Sequence, residues 1–159
     1  RPLVFTVDTV ITDDLNKGAN EYRPKDLFEF RTFSGTRFEF TRAGTTSVFE
    51  KQKAKDPTAL DTWTRSQPQA AAPLEASKIE DFLSKVTNLR AQSFVASLPP
   101  KAAEAGKAIA QWDDGKKNET VTFYRDGSNV FASRTGEPGA AAVTTTDFDD
   151  MLKAFDAVK

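Results

Sequence analysis

Residues 27–42 read LFEFRTFSGTRFEFTR. Two runs, LFEFRTF at 27–33 and RFEFTR at 37–42, alternate rings with charges over most of their length. Period-two alternation marks a strand with one face buried and the other wet. A helix over the same residues would scatter the rings around its circumference. The stretch therefore predicts an antiparallel hairpin turning at Ser34, Gly35 and Thr36, with Phe30 opposite Phe40 and Arg31 opposite Glu39. The neighbouring register sets Arg31 against Arg37 and Glu29 against Glu39, and facing like charges disfavour it by roughly a few tenths of a kcal/mol.

Working outward, TSVFEK at 46–51 continues the meander as a third strand after an Ala43-Gly44 turn. Residues 56–61 form a polar loop, and WTR at 63–65 is a short fourth strand before Pro68 and an AAAP linker. Residues 74–89 then change period. Ile79, Leu83 and Val86 recur at spacings of four and seven, which makes one helical stripe.

A second stripe, Phe148, Leu152 and Phe155, falls in residues 143–158, and a weaker one, Ile11 and Leu15, in residues 7–22, where Gly18 disfavours a long helix. Acids come early in each (Asp13 and Asp14, Glu80 and Asp81, Asp149 and Asp150), as the helix dipole favours. Ser77 and Thr145 are the expected N-caps.

The second half repeats the order. AIAQW at 108–112 reads as a strand and 113–118 as a loop. Residues 120–125 and 129–134 flank Asp126-Gly127, a hairpin signal that pairs Phe123 with Val130 and Val121 with Ala132. A turn at 136–139 leads to a short strand and the last helix, and Pro99-Pro100 marks the boundary between halves. The expected fold is α+β: an antiparallel β-meander followed by a helix on one sheet face, repeated. Residues 1–23 are then a strand–helix remnant of an upstream unit, 24–98 the first repeat and 99–159 the second.

Composition narrows the chemistry. The 159 residues carry a formal net charge of −1 with both signs interspersed, so no basic tract is available to track a phosphate backbone, and no nucleic-acid partner is expected. Cysteine and histidine are both absent, which removes Ser-His-Asp and Cys-His triads, disulfides and the usual zinc ligands. Thirteen Phe against one Met point to a core of rigid rings. The chain opens at Arg1 and holds no apolar run of membrane-spanning length, so a membrane link is expected only through an anchor outside this segment.

Few residues stand out as carriers of function. Asp147, Asp149 and Asp150 are hard-cation candidates, but acids at a helix start are the simpler account. Asp113-Asp114-Gly115 lacks the spacing of a calcium loop and reads as a turn. No pair of carboxylates is singled out for acid–base work. Trp63 and Trp112 hold comparable places near strand ends, one in each half, and are the candidate partner or ligand contacts; closing the core is the more frequent use of such a residue. The charges Glu29, Arg31, Arg37 and Glu39 suit a solvated sheet face, and a sheet edge is the better place for a partner to add a strand. The expectation is a non-enzyme with no cofactor and no metal.

The order from Phe38 and Phe40 through Val48, Trp63, Pro73, Ile79 and Leu83 to Leu89, Arg90 and Ala91 resembles the bacterial domain of unknown function 4340 family, most strongly over residues 22–95. The approach NEYRPKDLFEF resembles that family's lead-in to the repeat. The resemblance transfers no catalytic residue. It implies an extracytoplasmic, periplasmic or cell-surface, module of the bacterial envelope, membrane-anchored at its N-terminus in the full-length protein. Its expected partners are envelope or transporter proteins, some of them ABC-transporter systems of the gliding-motility type. The function so implied is non-catalytic binding or scaffolding; the alternative is a carbohydrate- or small-ligand-binding module using an exposed Trp.

Overall fold

A computed structural model describes residues 17–69 and 72–158. The proposed helix with Ile11, Asp13, Asp14 and Leu15 lies outside them, and residues 19–21 form one 3-10 turn. Nine strands make one sheet: β1 Gly35–Arg42, β2 Thr45–Gln52, β3 Thr62–Gln67, β4 Ala72–Pro73, β5 Ala91–Val95, β6 Ala103–Trp112, β7 Lys117–Asp126, β8 Asn129–Arg134 and β9 Ala140–Val143. Two helices, α1 Ala76–Thr87 and α2 Thr145–Ala157, follow β4 and β9. The strand order is β4-β3-β2-β1-β6-β7-β8-β9-β5, antiparallel at every junction. The α+β expectation of a meander followed by a helix, twice over, describes this molecule. The two meanders join through β1 and β6.

Both helices cover the same face. The register puts Phe38 opposite Phe49 and Ala110, and Phe40 opposite Ser47 and Ala108. Phe82 of α1 meets the rings of Phe38, Phe40 and Phe49 at 5.7, 6.0 and 5.9 Å, and Phe155 of α2 at 5.3 Å. Phe155 in turn stands edge-on to Phe40 at 4.8 Å. Small residues on β6 make room for this layer: a Cβ on Gly106 would come within 3.0 Å of the Phe40 ring. The opposite face is wet, with Arg37 bonded to Glu39 and Glu50 as expected of a solvated sheet.

The predicted stripe of α1 is buried, with Phe82 added to it. On α2 the buried residues are Phe148, Met151, Ala154 and Phe155, while Leu152 is only partly covered. Spacings of three and four are both helical neighbours, and the helix is rotated so that Met151 takes the inner place. The caps also differ from expectation. Glu75 and Thr144 hold the N-cap positions without a side-chain cap bond, and Thr145 Oγ1 donates to the Ser128 carbonyl instead.

Three strand assignments need correction. The β7–β8 hairpin turns at Gly127 and Ser128, pairing Asp126 with Asn129, so Phe123 faces Ala132 and Val121 faces Arg134. That shift of one residue pair leaves the same residues on the buried face. Residues 91–95, which carry no clear alternation, form β5: α1 crosses the sheet, and the chain adds this strand beside β9 at the far edge. Gly139 permits the junction, since its φ is +73° and a Cβ there would lie 2.2 Å from the Val95 carbonyl oxygen.

The third correction concerns residues 27–33, which form no strand. Phe28 and Phe30 enter the core, against Phe38 and Phe123 and against Phe38 and Trp112. The backbone between them finds side-chain partners instead of a ladder. Glu119 accepts from the Glu29 and Phe30 N–H groups at 3.1 and 2.7 Å. Arg31 donates to the Phe28 and Phe30 carbonyls at 2.7 and 2.9 Å. A buried backbone group needs a partner, and here charged side chains supply it.

Two stability predictions follow from this packing. Phe82→Ala should cost about 3–5 kcal/mol, because the space sits among rigid rings that cannot close on it. Leu152→Ala should cost less than half as much; urea unfolding of both variants would reveal an error in the α2 rotation if the costs were equal. Glu119→Gln should cost about 1–3 kcal/mol, because the amide cannot accept from both N–H groups and Arg134 as the carboxylate does, while Arg134 keeps Glu29 and Glu137, and should speed hydrogen exchange at the Glu29 and Phe30 amides. Glu29→Gln, at an exposed site, should cost under ~1 kcal/mol.

Candidate functional site

Trp63 and Trp112 are 6% and 9% exposed. The Trp112 ring stands edge-on to Phe30 at 6.4 Å, and Lys51 Nζ lies 5.9 Å above the Trp63 ring. Lys51 also donates to the Thr32 and Phe33 carbonyls, so it clips the irregular segment over this side of the core. Both indoles close the core; neither offers an open platform to a ligand.

The acids of α2 do not form one group: Asp147 and Asp150 border a recess with Asp81, and Asp149 lies apart from them. Asp149 pairs with Arg125, Asp150 with Lys153, and Asp147 is exposed. Among the described residues no cluster of acids is arranged to hold a metal. Asp113, Asp114 and Gly115 all have positive φ and turn the chain from β6 into β7, with Asp114 paired to Lys53.

Glu119 is the acid that sequence reasoning passed over. Its side chain is 3% exposed and its carboxylate lies 2.8 Å from Arg134, which also meets Glu29 and Glu137. Burial works against the Arg134 charge, but these three carboxylates outweigh it and hold the guanidinium above its ordinary range. The signal was available: Glu119 shares the parity of Val121 and Phe123 on β7, which assigns it to the inner face. With two N–H donors and a guanidinium on it, this carboxylate organises the backbone.

A roomy recess lies elsewhere, at the last turn of α2 on the covered face. A cleft of about 760 Å³ there is lined by residues of β1, β2, β3 and the end of α2, among them Arg42, Ser47, Arg65, Phe155 and Asp156. Arg42 Nη1 donates to both Asp156 oxygens at 3.2–3.3 Å. The buried Nε of Arg65 has no hydrogen-bond acceptor.

No match to a curated protein or to a solved structure was found. The model of the domain of unknown function DUF4340 matches residues 1–111, a span that takes in β1 to β5, α1 and most of β6. The chain belongs to the DUF4340 family.

Proposed function

We propose that this chain is a non-catalytic binding or scaffolding module of the bacterial cell envelope, working outside the cytoplasm and docking on other envelope proteins through an edge of its sheet. The observation that carries the reading is the state of β5. It ends the sheet, and the backbone hydrogen bonding of the described chain on its outer side lies at its start, where Asp26 bridges Arg90 and the Ala91 N–H donates to the Lys25 carbonyl at 2.7 Å, while further along the Arg23 guanidinium covers the Phe94 ring at 4.1 Å. Beyond Ala91, Gln92 and Ser93 are exposed beside a recess of about 340 Å³ that also borders Asn20, Glu21 and Lys25. An extended segment of a partner adds to such an edge through backbone hydrogen bonds. The opposite edge, β4, is two residues long and contains Pro73, which blunts it.

The use of Glu119 as a backbone clamp supports the non-catalytic part of the reading, since the most buried acid among the described residues is engaged by structural donors. The envelope setting, and an ABC-transporter assembly as the class of partner, rest on the family resemblance. The alternative of a carbohydrate- or small-ligand-binding module using an exposed Trp gains no support from Trp63 or Trp112, which lie against the core.

A photocrosslinking residue at Gln92 or Ser93, placed in the full-length protein in its own bacterium, should capture an envelope membrane protein identifiable by mass spectrometry. The same probe at Lys153, on the outer side of α2, should capture none. Equal capture at both positions, or none at the β5 sites, would sink the docking edge.

A further inference from the structure

Among the described residues three large apolar side chains stand mostly in solvent, and two of them, Phe33 at 84% and Leu60 at 89% exposure, lie at one end of the sheet. Phe33 comes just ahead of β1, and its carbonyl accepts from Lys51 Nζ at 3.0 Å. Leu60 lies in the loop from β2 to β3, just before the Gln52–Thr62 pair at which β2 ends and β3 begins. Lys53 of this loop reaches Asp114 in the β6–β7 turn, so Lys116 and Lys117 belong to the same end. The loop turns its polar groups on itself. The Ala54 N–H donates to Asp61 Oδ1 at 3.0 Å, and Thr58 donates to Asp56 Oδ1 from its N–H at 2.9 Å and its hydroxyl at 2.7 Å. The Ala59 N–H donates to the Asp56 carbonyl at 3.0 Å. A loop held this way keeps Pro57, Ala59 and Leu60 outside, and neither Leu60 nor Phe33 belongs to the core.

We infer that this end of the sheet rests on a lipid bilayer, with Phe33 and Leu60 entering the boundary between headgroups and acyl chains. Two such side chains offer roughly 300 Å² of apolar surface, whereas a stable protein partner covers roughly 800 Å² on each side. A bilayer needs no matching surface. It takes up apolar side chains that project, and lysines beside them lay their stems along the boundary with the ammonium groups in water. Residues 51–61 and 113–117 carry five lysines against four aspartates. The pull of anionic headgroups is therefore mild, and the apolar pair supplies most of the attraction. A contact of this size orients a chain that something else holds at the membrane, and in that respect it rests on the envelope setting proposed above.

The test supplies the hold artificially, so its outcome depends neither on that setting nor on what docks at β5. The chain has no histidine and no cysteine, so an N-terminal hexahistidine tag on nickel-chelating lipid gives one tether and a single introduced cysteine gives one fluorescent label. Ala59→Cys places the label beside Leu60 with both apolar side chains intact, and Lys153→Cys places it on the outer side of α2. On phosphatidylcholine vesicles, nitroxide-bearing lipid should quench the label at 59 about twofold or more beyond that at 153, since inserted groups lie roughly 5–10 Å into the boundary. Phosphatidylglycerol should deepen the quenching only slightly. Adding Phe33→Ser and Leu60→Ser, with the amide spectrum otherwise retained, should bring position 59 down to the level of 153. Equal quenching at 59 and 153 in the otherwise unaltered chain overturns the bilayer contact without recourse to the serine variant. Quenching that survives both serines, or that needs phosphatidylglycerol, overturns the role of the apolar pair. A label at 59 shielded in native envelope vesicles but not on pure lipid assigns this end to a protein and overturns the inference.

Discussion

The contact of Phe82 with Phe155 across the two helices, over the rings of Phe40 and Phe49, is the constraint on which the rest of this structure depends. It brings together a helix from each half and two strands from the first, and it works because β6 offers Gly106, Ala108 and Ala110 beneath the rings. Aromatic pairs in edge-on or tilted geometry add ~0.5–1.5 kcal/mol each beyond the area they bury. Their larger effect is geometric. Rigid rings admit few packings, so the two helices are held at one rotation over one end of the sheet.

From that constraint the irregular parts become intelligible. The segment ahead of β1 must seal the open end of the ring layer, and it does so with Phe28 and Phe30 rather than with a ladder. Its polar backbone is then stranded in the interior, and a buried carboxylate and a guanidinium are recruited to satisfy it. At the other end α2 runs out, nothing comparable seals the face among the described residues, and the sequence turns to Arg42, Ser47 and Arg65.

How much of this was legible in the residues varies with what each pattern encodes. Alternation correctly marked β1, β2, β7 and β8, because each has a dry and a wet side. It misled at residues 27–33, where the same alternation records side-chain insertion and says nothing about where the backbone hydrogen bonds go. Strand β5 escaped notice because an edge strand that is half exposed has little pattern to show. The helices were readable in position but not in rotation, Met151 and Leu152 being adjacent choices for one inward site. The arginine cleft was not visible at all. Arg42 and Arg65 look like ordinary strand charges until pairing assigns them the parity of Phe40 and Trp63.

The placement of β5 beside β9 carries a consequence for how the molecule comes into being on the ribosome. Strands β1 to β4 and α1 emerge first, yet α1 leaves the exit tunnel with Phe82 lacking its cap, and β5 with no neighbour to pair with until β9 has been translated. Loop closure over so long an intervening stretch is slow and favours a late, concerted step. The nascent first half can therefore lay Phe82 over Phe38, Phe40 and Phe49, but it lacks the Phe155 ring that completes the layer until the last helix arrives.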